Sequence, residues 1–171
     1  MKKWWRALCL AIFLLMGMGF AYAQPEPVYQ VEMNRKPGID FRRFKSVGNE
    51  ISVSFHPNSD WAVEKSDPFL KQRIQAISLR VAKNKGWVPI DNADADLKLS
   101  VKILEWGRLR NTQDQNLMEY LKFELSGYSA TDAGLVFRGT GQYSRVDPKE
   151  QNLVKVNEAY RSILEELLAS L

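Results

Sequence analysis

Leu97-Lys98-Leu99-Ser100-Val101-Lys102-Ile103 alternates apolar and polar residues without a break. Successive side chains of a strand point to opposite faces, so this run reads as a half-buried β-strand. The pattern predicts a long strand from Leu97 to Leu109, with Leu97, Leu99, Val101 and Ile103 on one face. Two more strands follow in the sequence. Leu117 to Tyr128 puts Leu117, Leu121, Phe123 and Leu125 on one face, and Leu135 to Arg145 turns Leu135, Phe137 and Tyr143 inward. Gly139 and Gly141 leave room on that inner face for a large neighbour such as Phe123.

The middle hairpin has a register that can be tested for consistency. A turn around Gln113 that sets Val101 opposite Leu125 also sets Ile103 opposite Phe123. On the other face it sets Lys102 opposite Glu124, Trp106 opposite Tyr120 and Arg108 opposite Met118. Apolar then meets apolar and opposite charges meet, as stable cross-strand pairs require. The outer face becomes charged near Lys98, Lys102, Lys122, Glu124 and Arg138, and apolar near Leu104, Trp106, Met118 and Tyr120. Those last four are the candidate interaction patch, because exposed aromatic clusters mark binding surfaces. Two other readings stand beside it: a corner covered by the N-terminal segment or a loop, and scattered apolar groups of no consequence.

Outward from this sheet, two helices are expected. Asp67 to Lys85 carries Leu70, Ile74, Ile77 and Val81 on one stripe. Asp67 suits the N-cap, Pro68 the first helical position and Gly86 the C-terminal cap. Pro148 to Leu171 buries Leu153, Val156, Tyr160, Ile163, Leu167 and Leu171, with Leu164 and Leu168 widening the stripe. Asp147 and Glu150 form a cap-like pair at its start. Upstream, Ile51, Val53 and Phe55 alternate with Ser52 and Ser54 as a strand, closed by the turn formers after His56. Trp87 to Ile90 is a short strand whose Pro89 suits a sheet edge. The order strand, helix, several strands, helix predicts an α+β two-layer sandwich: a mostly antiparallel sheet with two helices on one face.

The N-terminus has three zones. Met1 to Arg6 is basic, Ala7 to Phe20 is almost wholly apolar, and Ala21-Tyr22-Ala23 matches a small-x-small cleavage site before Gln24-Pro25. This is the layout of a secretory signal peptide cut between Ala23 and Gln24. The apolar run is shorter than the roughly 20 residues of a spanning helix, so no stable membrane span is expected after cleavage. Residues 24–38 are polar and punctuated by Pro25, Pro27 and Pro37, with one short alternating piece from Val28 to Val31, and read as a flexible N-terminal arm or an edge segment. Residues 39–171 read as a single α+β domain. The expected location is the periplasm, with outer-membrane association as a further option.

The chain has 171 residues, 45% of them hydrophobic and 26% charged, which fits one globular domain. Its net charge is +4. Removing Lys2, Lys3 and Arg6 from the 24 basic side chains leaves 21 against 20 acidic ones. That balance gives no electrostatic reason to expect nucleic acid as a partner. The single cysteine, Cys9, lies in the signal segment, so disulfide and thiol chemistry are set aside for the exported domain.

No catalytic residue, metal ligand set or cofactor motif emerges. His56 is the one histidine, too few for a usual zinc set, and Ser54, Ser59 and Asp60 around it form no nucleophile elbow. Asn92-x-Asp94-x-Asp96 resembles a calcium loop only in its acids, because Leu97 and Ile103 stand where glycine and glutamate are needed. Gly139-Thr140-Gly141 lies inside a strand pattern and is too short for a phosphate loop.

Three segments carry a resemblance. Gly86-Trp87-Val88-Pro89-Ile90 through Ala95-Asp96-Leu97 resembles a helix–strand junction of small bacterial envelope lipoproteins. Phe137-Arg138-Gly139-Thr140-Gly141 is similar to one of their strands, and Asp40-Phe41-Arg42-Arg43-Phe44-Lys45 to their opening. The nearest named group is the YajG-like lipoprotein family, which implies an α+β sandwich of the cell envelope. Arg6-Ala7-Leu8-Cys9 does not match a lipobox, so anchoring does not carry over. The expectation is an exported, non-catalytic binding or assembly module whose partner is an envelope protein or outer-membrane component. A small-ligand or lipid carrier, or a hydrolase with an unrecognised site, are the alternatives.

Overall fold

The computed structural model describes residues 26–54, 69–110, 117–132, 134–146 and 154–171. The signal segment with Ala23 and Gln24, His56, the caps at Asp67 and Asp147, Leu153 and the turn at Gln113 lie outside them.

Among the described residues, six strands and two helices form two layers. The strands are β1 (Val28–Arg35), β2 (Ser46–Val53), β3 (Val88–Pro89), β4 (Leu97–Arg110), β5 (Leu117–Ser129) and β6 (Gly134–Val146). The helices are α1 (Leu70–Asn84) and α2 (Val154–Ala169), and one 3-10 turn spans Phe41–Arg43. The sheet order is β1-β6-β5-β4-β2-β3. The pairs β6/β5 and β5/β4 are antiparallel, as strands adjacent in sequence and joined by short connections must be, and β1 joins β6 antiparallel from the far end of the chain. The β2 strand pairs parallel with both β3 and β4, because α1 supplies the crossover that a parallel neighbour needs. Both helices lie on one face, giving the expected α+β sandwich.

The interface between layers is filled. Val47, Ile51, Leu97, Leu99, Val101, Ile103, Leu121, Phe123 and Leu125 are buried from the sheet side. Leu70, Ile74, Val81, Val156, Tyr160, Ile163, Leu164, Leu167 and Leu168 meet them from the helices. Glycine sets how closely α2 descends on β6. A Cβ on Gly141 would lie 2.5 Å from both Ile163 and Phe123, and one on Gly139 would lie 2.8 Å from Leu167.

Of the two readings of residues 24–38, Val28–Arg35 takes the edge one: it is an eight-residue edge strand held by β6. Two other expectations change. Leu135 is 40% exposed rather than inward, because an irregularity of pairing beside Tyr128 leaves Val136 as the buried residue there. In α1 the buried stripe runs Leu70, Ile74, Ser78, Val81 and Ala82, while Ile77 sits at its margin, partly buried.

Candidate interaction face

The β4/β5 register holds as expected through Val101↔Leu125, Lys102↔Glu124 and Ile103↔Phe123. It then slips between Ile103 and Glu105, where β4 carries one extra residue, Leu104. A bulge re-aims every side chain beyond it. Trp106 therefore pairs with Leu121 instead of Tyr120, and Met118 pairs with Leu109 instead of Arg108. Trp106 is 7% exposed and packs edge-to-face on Tyr160 of α2, with ring centroids 5.8 Å apart. Leu104, Met118 and Tyr120 are half-buried. The four residues read as one patch are thus divided between the faces, with Trp106 in the core under the helices.

The regular alternation of β5 puts Glu119 on the inner face with Leu121 and Phe123, fully buried. Its Oε2 accepts a hydrogen bond from the Tyr143 hydroxyl at 3.2 Å. Burial, aided by the Glu119 charge and this bond, pushes the Tyr143 hydroxyl well above the ordinary tyrosine range. Tyr29 of β1 lies against Tyr143 with centroids 5.2 Å apart. Glu119 was legible in the alternation, since it shares parity with Leu121 and Phe123, but a carboxylate at an inward position invites no such assignment.

Among the described residues, no helix covers the outer face of the sheet. Its middle is charged as expected, with Lys98 and Lys102 on β4, Lys122 and Glu124 on β5 and Arg138 on β6. Its exposed large side chains stand at both ends: Val28 of β1 lies in the row of Ser144 and Tyr120, and at the opposite end Tyr128, 39% exposed, faces Leu135 across the β5/β6 pair. Beside Tyr128 opens a recess of about 410 Å³ lined by Glu50, Asn92, Lys98, Leu99, Ser100 and Tyr128. It offers one aromatic face, both signs of charge, an amide and a hydroxyl. Such a set recognises a polar partner through hydrogen bonds around one rigid ring.

The loop between β3 and β4 forms one wall of the recess, and local chemistry fixes it there. The Asp96 carboxylate accepts the backbone N–H groups of Lys45 and Ser46, each at 3.0 Å, and the Asp96 N–H donates to Ser46 Oγ. The two backbone bonds hold its pKa below the usual carboxylate value. Asp91 turns the chain by accepting the Ala93 N–H at 3.2 Å. The acids of this loop therefore serve the backbone, and among the described residues no cluster of acids, histidines or cysteines could hold a metal ion.

A second groove, of about 230 Å³, lies where α1 and α2 end, lined by Phe41, Arg42, Phe44, Lys45, Lys85, Gly86, Trp87 and Leu171. Its cations have structural duties or suit the negative helix ends. Arg42 is paired with Asp40 at 2.9 Å and Lys45 Nζ donates to the Arg42 carbonyl. Arg35 from β1 caps α2 nearby by donating to the Ser170 carbonyl at 2.5 Å.

No protein-family model matches the chain, and no curated protein matches it. Solved structures share its fold. A PelC dodecamer from Paraburkholderia phytofirmans is similar at a TM-score of 0.53 and 18% identity, over 84% of this chain and 98% of that one. Protein XCC0632 from Xanthomonas campestris, a DUF330 protein, is similar at 0.54 and 12%, over 73% and 81%. Lipoprotein GNA1162 from Neisseria meningitidis is similar at 0.50 and 8%, over 74% and 99%. At these identities the likeness is one of architecture: the chain has the two-layer α+β fold found in these bacterial proteins.

Proposed function

We propose that this chain is an exported envelope protein that acts without catalysis, by binding another envelope component on the open face of its sheet around Tyr128. The observation that supports this reading most is the close contact of α2 with β6. Side chains of α2 touch β6 where only glycine fits. A ligand carried between α2 and β6 would have to displace these contacts, which favours binding at the surface over a carrier role. Binding then falls to the surface, where the uncovered sheet face presents Tyr128 beside a polar recess. The secretory layout of residues 1–23 supports export. The fold's occurrence in a lipoprotein and in a dodecamer fits an envelope assembly role.

Site-specific photocrosslinking in the producing cell tests this. A photoreactive residue at Lys102, on the open face, should give crosslinks to an envelope component, and one at exposed Lys71 of α1 should not. Equal crosslinking from both faces, or none from Lys102, would overturn the reading.

A further inference from the structure

The two edges of the sheet are built differently. The β3 edge is two residues long and contains Pro89, which removes a backbone donor. The β1 edge runs for eight residues with no proline and no lysine, and of the charges that can blunt an edge it carries Glu32 and, at its end, Arg35. Alternate residues of β1 bond to β6, which leaves the intervening N–H and C=O groups directed outward along the strand. Val28 and Tyr29 at its start are 53% and 48% exposed. An edge of this kind recognises an extended backbone by its spacing.

The side chains select which backbone. Tyr29, Val31 and Met33 face the helix layer, and Val28, Gln30, Glu32 and Asn34 face the open side. This pattern reads the same in both directions about Val31. We propose that β1 pairs antiparallel with β1 of a second copy of this chain, with Val31 on the two-fold axis. Tyr29 then meets Met33 of the other copy and Gln30 meets Glu32, so apolar opposes apolar and no like charges face each other. Among the described residues each chain has one long open edge, so the pairing closes as a symmetric dimer instead of growing into a fibre. This inference does not rest on the open-face reading and survives its failure.

Sedimentation of the exported protein over a dilution series should show a monomer–dimer equilibrium. Gln30→Glu places a carboxylate opposite Glu32 twice in each dimer and should weaken it about two- to thirtyfold, while Gln30→Lys should strengthen it by a similar factor. Gln30 is exposed, so both variants keep the fold. In a Cys9→Ala background, Val31→Cys should oxidise to a linked dimer, since residues directly opposite lie about 4.5–5.5 Å apart, within disulfide range. Asn34→Cys should stay unlinked. A monomer at every concentration overturns the proposal. So does a dimer whose affinity ignores the charge at residue 30.

Discussion

The Ser78 hydroxyl and the Tyr160 hydroxyl lie 2.7 Å apart between α1 and α2, sealed from solvent. Ser78 Oγ donates its one proton to the Ile74 carbonyl at 2.8 Å, so the proton between the two hydroxyls belongs to Tyr160. Ser78→Ala leaves that phenol buried without an acceptor and should cost about 1–3 kcal/mol. Tyr160→Phe removes the donor and spares the serine bond to Ile74, so it should cost less, about 0.5–1.5 kcal/mol. The double variant should cost less than the sum of the two, because no orphaned phenol remains. Urea midpoints test this, and strict additivity would show that the two hydroxyls do not communicate.

The same burial governs behaviour in alkali. Desolvation pushes the Tyr160 hydroxyl above its ordinary value of 10.0, with the Ser78 bond opposing only in part, and Tyr143 moves the same way. In that window the unfolded chain has lost protons that the folded chain keeps, so stability falls as pH rises. The contribution is whole below pH 10.0 and is lost from there upward through the higher folded values. Stability measured at stepped alkaline pH should be level up to that point and then decline. Tyr160→Phe should make the decline shallower. An unchanged slope would place the alkaline sensitivity elsewhere.

Trp106 should behave as a core residue. It packs on Tyr160 and is nearly inaccessible, so Trp106→Ala should cost about 3–5 kcal/mol, a large part of a usual total of about 5–15 kcal/mol. Tyr120→Ala, on a half-buried side chain, should cost clearly less. Thermal melts of the two single variants decide the matter. Equal losses would mean that the bulge at Leu104 does not redirect the strand.

Much of this was legible and one feature was not. The alternation from Leu97 to Ile103 and the pairing of Ile103 with Phe123 follow from period and polarity alone, and so does the match of Gly141 to Phe123. The α2 stripe followed from its helical spacing. The failure came at one residue. A strand pattern counts by twos, and an inserted Leu104 shifts the count without any local mark, since leucine suits either face. Trp106, just beyond it on β4, therefore lies on the face opposite to the one that the count gives. A similar irregularity beside Tyr128 hid Leu135 on the outer face. The candidate site therefore moved from one end of the open face to the other. Its recess depends on a loop crossing that periodicity does not address.

That crossing rests on Gly48. The β3–β4 loop passes over the outer face of β2 at this position, and a Cβ there would lie 2.7 Å from the Asn92 Cα and would overlap the Asn92 side chain. The obstacle is backbone as well as side chain, so a rotamer change cannot relieve it. Gly48→Ala should lift the loop and cost about 1–3 kcal/mol as overpacking. The same displacement should loosen the Asp96 bonds to Lys45 and Ser46 and widen the recess beside Tyr128. Hydrogen exchange separates this from a simple loss of stability. Faster exchange at Lys45 and Ser46, with β5 and β6 unchanged, is the expected result. Uniform acceleration across the sheet, or none at these two amides, would show that Gly48 is not what seats the loop.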